Sequence, residues 1–176
     1  MSQFFSWLLA RLWKNFGVVL SGQLYRSGQF GPIRLRLMYW LMKPDVVLAM
    51  NILPNQKRGP EAAEINFFQT KPVLYLCYDF SSSGIMKEED LERFRHFVSV
   101  AQSSVYSKKK VWIHCAGGKD RTGGLVGFLL MNSMIPTTNN NEQEPPKDRI
   151  QKFIEECFLH KIPYDGWLHV VFGIIK

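Results

Sequence analysis

Acidic residues are in short supply: 15 Asp and Glu stand against 22 Lys and Arg in 176 residues, a formal net charge of +7. That imbalance turns the surface toward polyanionic partners, whether phosphate esters, nucleic acid or acidic membranes, without choosing among them. Cysteine is scarcer. Cys77, Cys115 and Cys157 form an odd set without framework spacing, which argues against a disulfide-stapled secreted scaffold and for a reducing compartment. The three cysteines and four histidines show no metal-ligand spacing, so neither metal nor cofactor is expected. The chain also lacks an apolar run of the ~20 residues a membrane-spanning helix needs. It has no internal repeats and no linker that would divide it. With 46% hydrophobic and 14% aromatic residues it is no disordered chain, and its length suits one domain.

What is present begins with a greasy N-terminus. Phe4, Phe5, Trp7, Leu8, Leu9, Leu12 and Trp13 are interrupted by Arg11 and Lys14. No basic residue precedes the run and no small-residue cleavage pattern follows it, so a signal peptide is not expected. Residues 1–14 read as an amphipathic helix, either docked on the core or lying on a membrane surface. Trp167 to Ile175 reads as a buried terminal helix. Between these ends, strand and helix signals alternate. Ile33 to Lys43 reads as a helix ended by Pro44, and Val46 to Met50 as a buried strand. Gly59-Pro60 precedes a helix over Glu61 to Gln69, and Val73 to Leu76 is the next strand. After the Ser81-Ser82-Ser83-Gly84 loop, Lys87 to Asp90 starts a helix with acid in its first turn. Its apolar positions Leu91, Phe94, Phe97, Val98 and Ala101 recur at helical spacing. Lys108 to Lys110 is a solvated turn before the strand Val111 to Ile113. Thr137 to Pro146 reads as a loop, and Lys147 to His160 as a further helix. The expected fold is a single α/β domain, a mainly parallel central sheet flanked by helices.

One segment carries chemistry. In it the strand Val111-Trp112-Ile113 runs into His114-Cys115-Ala116-Gly117-Gly118-Lys119-Asp120-Arg121-Thr122-Gly123, and Arg121 opens an apolar helix reaching about Met134. Backbone N–H groups of a tight loop, together with a helix N-terminus, converge on one oxyanion site. Gly117 and Gly118 are expected to allow backbone paths that side chains would obstruct. A cysteine in such a field has its thiolate stabilised. Arg121 offers a planar fork for two phosphoryl oxygens, and Thr122 a hydroxyl that can donate to the sulfur. The sum is a coherent nucleophilic site.

This loop resembles the His-Cys-x5-Arg-Ser/Thr signature of the cysteine-dependent protein tyrosine and dual-specificity phosphatases. Its Gly-Lys-Asp-Arg-Thr-Gly version is similar to the atypical and phosphoinositide-directed branch, bacterial members included. Two further stretches resemble that group: Asn15 to Val19 with Leu24 to Gln29, and Val46 to Ile52 with Glu61 and Glu64 downstream. The likeness runs from about Asn15 to Leu130. It implies a tyrosine phosphatase-like fold, a phosphatase domain over residues 15–176, and a phosphocysteine intermediate on Cys115. It also implies phosphate binding by Ala116, Gly117, Gly118, Lys119, Asp120, Arg121 and Thr122, without metal. His114 either orders the loop from behind or simply packs. The family places its general acid on a loop upstream of the cysteine, which points to Asp79; the rival is Asp120 inside the cradle.

Substrate class stays open between phosphoinositide, favoured by Lys119 and the basic charge, and phosphotyrosine or other phosphoprotein. Arg26 is assigned to buttressing the loop, ahead of simple pairing with a carboxylate; Cys77 to an inert buried thiol, ahead of the protective disulfide with Cys115 that the resemblance to some relatives would imply; and Cys157 to the core. Trp7, Trp13, Trp40, Trp112 and Trp167 do not cluster with basic residues, so nucleic acid is not an expected partner. The alternatives to an enzyme are a silent phosphate-binding module and a membrane-associated interaction module. The expected location is cytoplasmic, with membrane association through residues 1–14 and delivery into another cell left open.

Overall fold

The computed structural model describes residues 15–20, 22–52, 55, 57–80 and 88–134, without the side chains of 88, 89, 120 and 130–134. The expected N-terminal helix over 1–14, the serine-rich loop, the loop over 137–146 and both C-terminal helices lie outside them, as do Cys157 and Trp167.

Among the described residues there are five strands and four helices: β1 (Gly17–Leu20), β2 (Leu24–Gly28), α1 (Pro32–Met42), β3 (Val46–Ala49), α2 (Gly59–Gln69), β4 (Leu74–Cys77), α3 (Glu88–Tyr106), β5 (Val111–Cys115) and α4 (Asp120–Met134). The sheet order is β1-β2-β5-β3-β4. β1 and β2 form an antiparallel hairpin. Every other pairing is parallel. This is the mixed, mostly parallel α/β sheet expected, and β5, which carries the signature loop at its end, is its central strand.

Proline starts both early helices. Pro32 and Pro60 occupy first-turn positions, where a missing N–H costs nothing and φ is already helical. α1 ends at Lys43 in the left-handed region (φ 48°), just before Pro44. Alternation along the strands divides the core in two. Leu24, Val46, Leu48, Val111, Ile113 and Cys115 face α3 and α4, against Phe94, Phe97, Leu125 and Val126. Tyr25, Val47 and Trp112 face the other way, against Leu35, Met38 and Met42 of α1 and Phe68 of α2. The same alternation puts His114 on the α1–α2 face while Cys115 stays on the α4 face.

The hairpin is the part that sequence reading did not resolve into strands. β1, Gly-Val-Val-Leu, is apolar but only four residues long and half-buried throughout, too short for its run to separate strand from helix or loop. β2, Leu-Tyr-Arg-Ser-Gly, is buried at every position although two of its residues are polar.

Candidate active site

In the parallel register Gly28 of β2 pairs with Cys115 at the end of β5, so the chain following each strand emerges at one edge of the sheet. In such sheets that edge, beyond the carboxyl ends of the strands, is where ligands are bound. Cys115 is 3% exposed. Its Sγ accepts a hydrogen bond from the Gly118 N–H at 3.2 Å, closing the loop back over the sulfur.

The orientation of the loop follows from where its carbonyls go. Ala116 O accepts from the Gln29 N–H at 3.3 Å, Gly117 O from Asn15 Nδ2 at 2.7 Å, and Gly118 O from Arg26 Nη1 at 3.3 Å. Three successive carbonyls are thus turned onto the β1–β2 segment. In a trans peptide the N–H points opposite to the C=O, so the amides of Gly117, Gly118 and Lys119 are turned to the other side, and the Gly118 contact with sulfur fits that arrangement. Gly123 N–H then donates to Lys119 O at 2.7 Å and starts α4. Asn15 holds its place with a left-handed backbone (φ 59°), which asparagine tolerates better than most residues. Arg26 is 6% exposed and does buttress the loop. Asn15 had no chemical role from sequence alone; only its position behind the loop reveals one.

The two glycines are not equivalent. Gly118 has φ +69°, and a Cβ there would stand 2.3 Å from Gly28 N and 2.4 Å from Ser27 C. Gly117 has open space around it and no left-handed φ, so the expectation that both are sterically required is corrected: only Gly118 is. Ala116, Gly117 and Lys119 are exposed and Gly118 is buried. Asp120 is the first residue of α4, and its side chain lies outside the described residues.

Arg121 Nη1 donates to Phe80 O at 2.7 Å, Met50 O at 3.1 Å and Asp79 Oδ1 at 3.2 Å. This brings Asp79 and Arg121 together at the ends of β3 and β4. Asp79 is bridged to Asn51, and its carboxylate is half-exposed. The segment carrying it is pinned to α3, because Tyr78 OH donates to Asp90 Oδ1 at 2.6 Å and Arg93 lies over the Tyr78 ring. Thr122 Oγ1 is buried and has no hydrogen-bond partner among the described residues, so the expected donation to sulfur is not formed here.

Behind the nucleophile lies a polar group the motif does not contain. His114 Nε2 stands 2.7 Å from Glu64 Oε1, both side chains being essentially fully buried. Tyr75 OH donates to Glu64 Oε1 (3.1 Å) and Gln29 Nε2 to Glu64 Oε2 (3.4 Å), while Asn51 Nδ2 donates to Gln29 Oε1 (3.0 Å). His114 thus meets a carboxylate behind the loop, although neither of its ring nitrogens makes a well-aligned hydrogen bond among the described residues. Burial, with Glu64 close by, pushes the Tyr75 hydroxyl and the Cys77 thiol upward. No group of three or more His, Cys, Asp or Glu side chains suited to a metal ion occurs among the described residues. No described helix is long and apolar enough to cross a membrane.

No family model matches the chain, and no curated protein matches it in sequence. Solved structures do. Tk-PTP in its active form superposes with a TM-score of 0.67 at 14% identity, over 92% of this chain and 97% of that one. PTPMT1, also solved in complex with PI(5)P, gives 0.62 at 15% identity, over 90% and 92%. The core catalytic domain of the PP-IP phosphatase SIW14 from S. cerevisiae gives 0.61 at 16% identity, over 93% and 85%. The chain has the fold of the cysteine-based tyrosine and dual-specificity phosphatases.

Proposed function

We propose that this protein is a cysteine-dependent phosphatase that hydrolyses phosphate monoesters, with phosphoinositides as the favoured substrate class. The observation that carries the reading is the loop itself: a buried Cys115 sulfur with an amide at 3.2 Å, in a turn whose successive carbonyls are tied away. That is a cradle for an anion with a nucleophile at its floor. The Cys115 thiolate attacks phosphorus, forming a P–S bond as the ester P–O bond breaks. Asp79 gives its proton to the departing oxygen. Water then attacks the phosphocysteine and passes a proton to the Asp79 carboxylate, which releases inorganic phosphate and regenerates the thiolate. Arg121 has five N–H donors; the contacts above occupy Nη1, and the rest of the fork serves the phosphoryl oxygens. Lys119, exposed on the loop, adds a cation for a substrate carrying several phosphates.

Support for lipid over peptide comes from the basic charge, from Lys119, and from the neighbour solved in complex with PI(5)P. Association with an anionic membrane through residues 1–14, in a cytoplasmic setting, belongs to the same reading. The test is phosphate release from an aryl phosphate, phosphotyrosine and phosphothreonine peptides, and mono- to tris-phosphorylated inositol lipids, by wild type and Cys115→Ser. Lipid turnover well above peptide turnover, absent in the variant, is the expected result. Peptide preference would move the assignment to a protein phosphatase, and silence throughout would leave a phosphate-binding module.

A further inference from the structure

Glu64 is 1% exposed, and its partners among the described residues are an imidazole, a phenol and an amide rather than lysine or arginine. Burying a carboxylate costs much stability unless it is well bonded, so its position calls for a reason. Three connections leave it. The first is His114, the residue before Cys115, at 2.7 Å. The second is the Gln29 amide; the backbone N–H of the same Gln29 donates to the carbonyl of Ala116, the residue after Cys115. The third passes through Gln29 Oε1 to Asn51, which follows Met50, whose carbonyl accepts from Arg121 and whose N–H donates to the His114 carbonyl at 2.8 Å.

We propose that Glu64 is a positioning residue for the phosphate loop, holding the residues on both sides of Cys115 in register with the strand end that anchors Arg121. It touches neither substrate nor sulfur. It acts through His114 and Gln29, and it rests on the phosphatase reading above for what the loop does. Small displacements of a nucleophile or of its oxyanion donors lower rate steeply, on the order of a hundredfold for about 1 Å. A buried polar network fixes such positions through its satisfied members: here the 2.7 Å approach of Glu64 to His114 and the Gln29 bonds carry it, while His114 Nδ1 and Asn51 Oδ1 have no hydrogen-bond partner among the described residues.

The test compares wild type, Glu64→Gln and Gln29→Met in three measurements: aryl phosphate kinetics, the pH profile of Cys115 alkylation by iodoacetamide, and thermal unfolding. Glu64→Gln keeps the size of the side chain but turns one of its two acceptor oxygens into an N–H donor and removes the carboxylate that meets His114. The expected result is a fall of about tenfold to a hundredfold in kcat and kcat/KM together, the pattern of a lost transition-state arrangement. A displaced alkylation profile accompanies it. Gln29→Met, which leaves the Glu64–His114 contact intact, is expected to show a smaller fall in the same direction. Folded variants with wild-type kcat and a wild-type alkylation profile, whatever their melting temperature, would overturn the proposal. Where Glu64→Gln does not fold, Gln29→Met decides by the same criteria. A wild type without turnover would count against the phosphatase reading alone, and the alkylation profiles would then decide the role of Glu64.

Discussion

A methyl group added at Gly118 would meet the backbone of Ser27 and Gly28 at 2.3 to 2.6 Å, on a residue already at φ +69°. Gly118→Ala is therefore expected to destabilise by at least about 1–3 kcal/mol and to open the loop, whereas Gly117→Ala should change stability by no more than about 0.5 kcal/mol. Denaturant unfolding of the two variants checks this; equal losses would contradict the geometry. The cysteines make a second contrast. Burial and the nearby Glu64 carboxylate push the Cys77 thiol up, so it stays protonated at neutral pH and its thiolate grows only as pH rises. The Cys115 sulfur has an amide donor. Peptide mapping after brief iodoacetamide treatment should find Cys115 modified first, with Cys77 following only as the pH is raised. Faster labelling of Cys77 at neutral pH would count against both assignments.

Helix α1 shows how an element can be legible while its surroundings are not. Its limits follow from Pro32 and from Pro44 beyond its end, but it is apolar on most sides: Leu35, Met38 and Met42 are buried while Ile33, Leu37, Trp40 and Leu41 are exposed. No single stripe in the sequence names the buried face; contact with Phe68 of α2 and with Trp112 on the facing side of the sheet does. Met38→Ala is expected to cost about 2–5 kcal/mol, and Trp40→Ser no more than about 0.5 kcal/mol, read by denaturant unfolding. A large cost at Trp40 would mean that its face is covered. The parallel strands and the strand–loop–helix of the signature are readable because β3 and β5 are apolar runs and Cys115 to Arg121 has fixed spacing. The β1–β2 hairpin and the Glu64 network are not, because their value lies in contacts between residues far apart in sequence. Asn15 with Gly117 and Glu64 with His114 are such pairs, and neither has a local signal.

Across the whole molecule, the order β1-β2-β5-β3-β4 sets Cys115 on the central strand, backed by the hairpin on one side and met by Asp79 and Arg121 from the other. The whole chain carries a net charge of +7, so kcat/KM for an anionic substrate should fall as salt is raised through the range where the Debye length shrinks below about 10 Å. A salt-independent kcat/KM would remove charge attraction from the account. The most direct measurement is mass spectrometry of enzyme acid-quenched during turnover of an aryl phosphate. The account predicts a phosphoryl group on the Cys115 peptide of wild type, with no such adduct and no phosphate release in Cys115→Ser. Phosphate release by the Cys115→Ser variant, or steady turnover by wild type with Cys115 never phosphorylated, would contradict it.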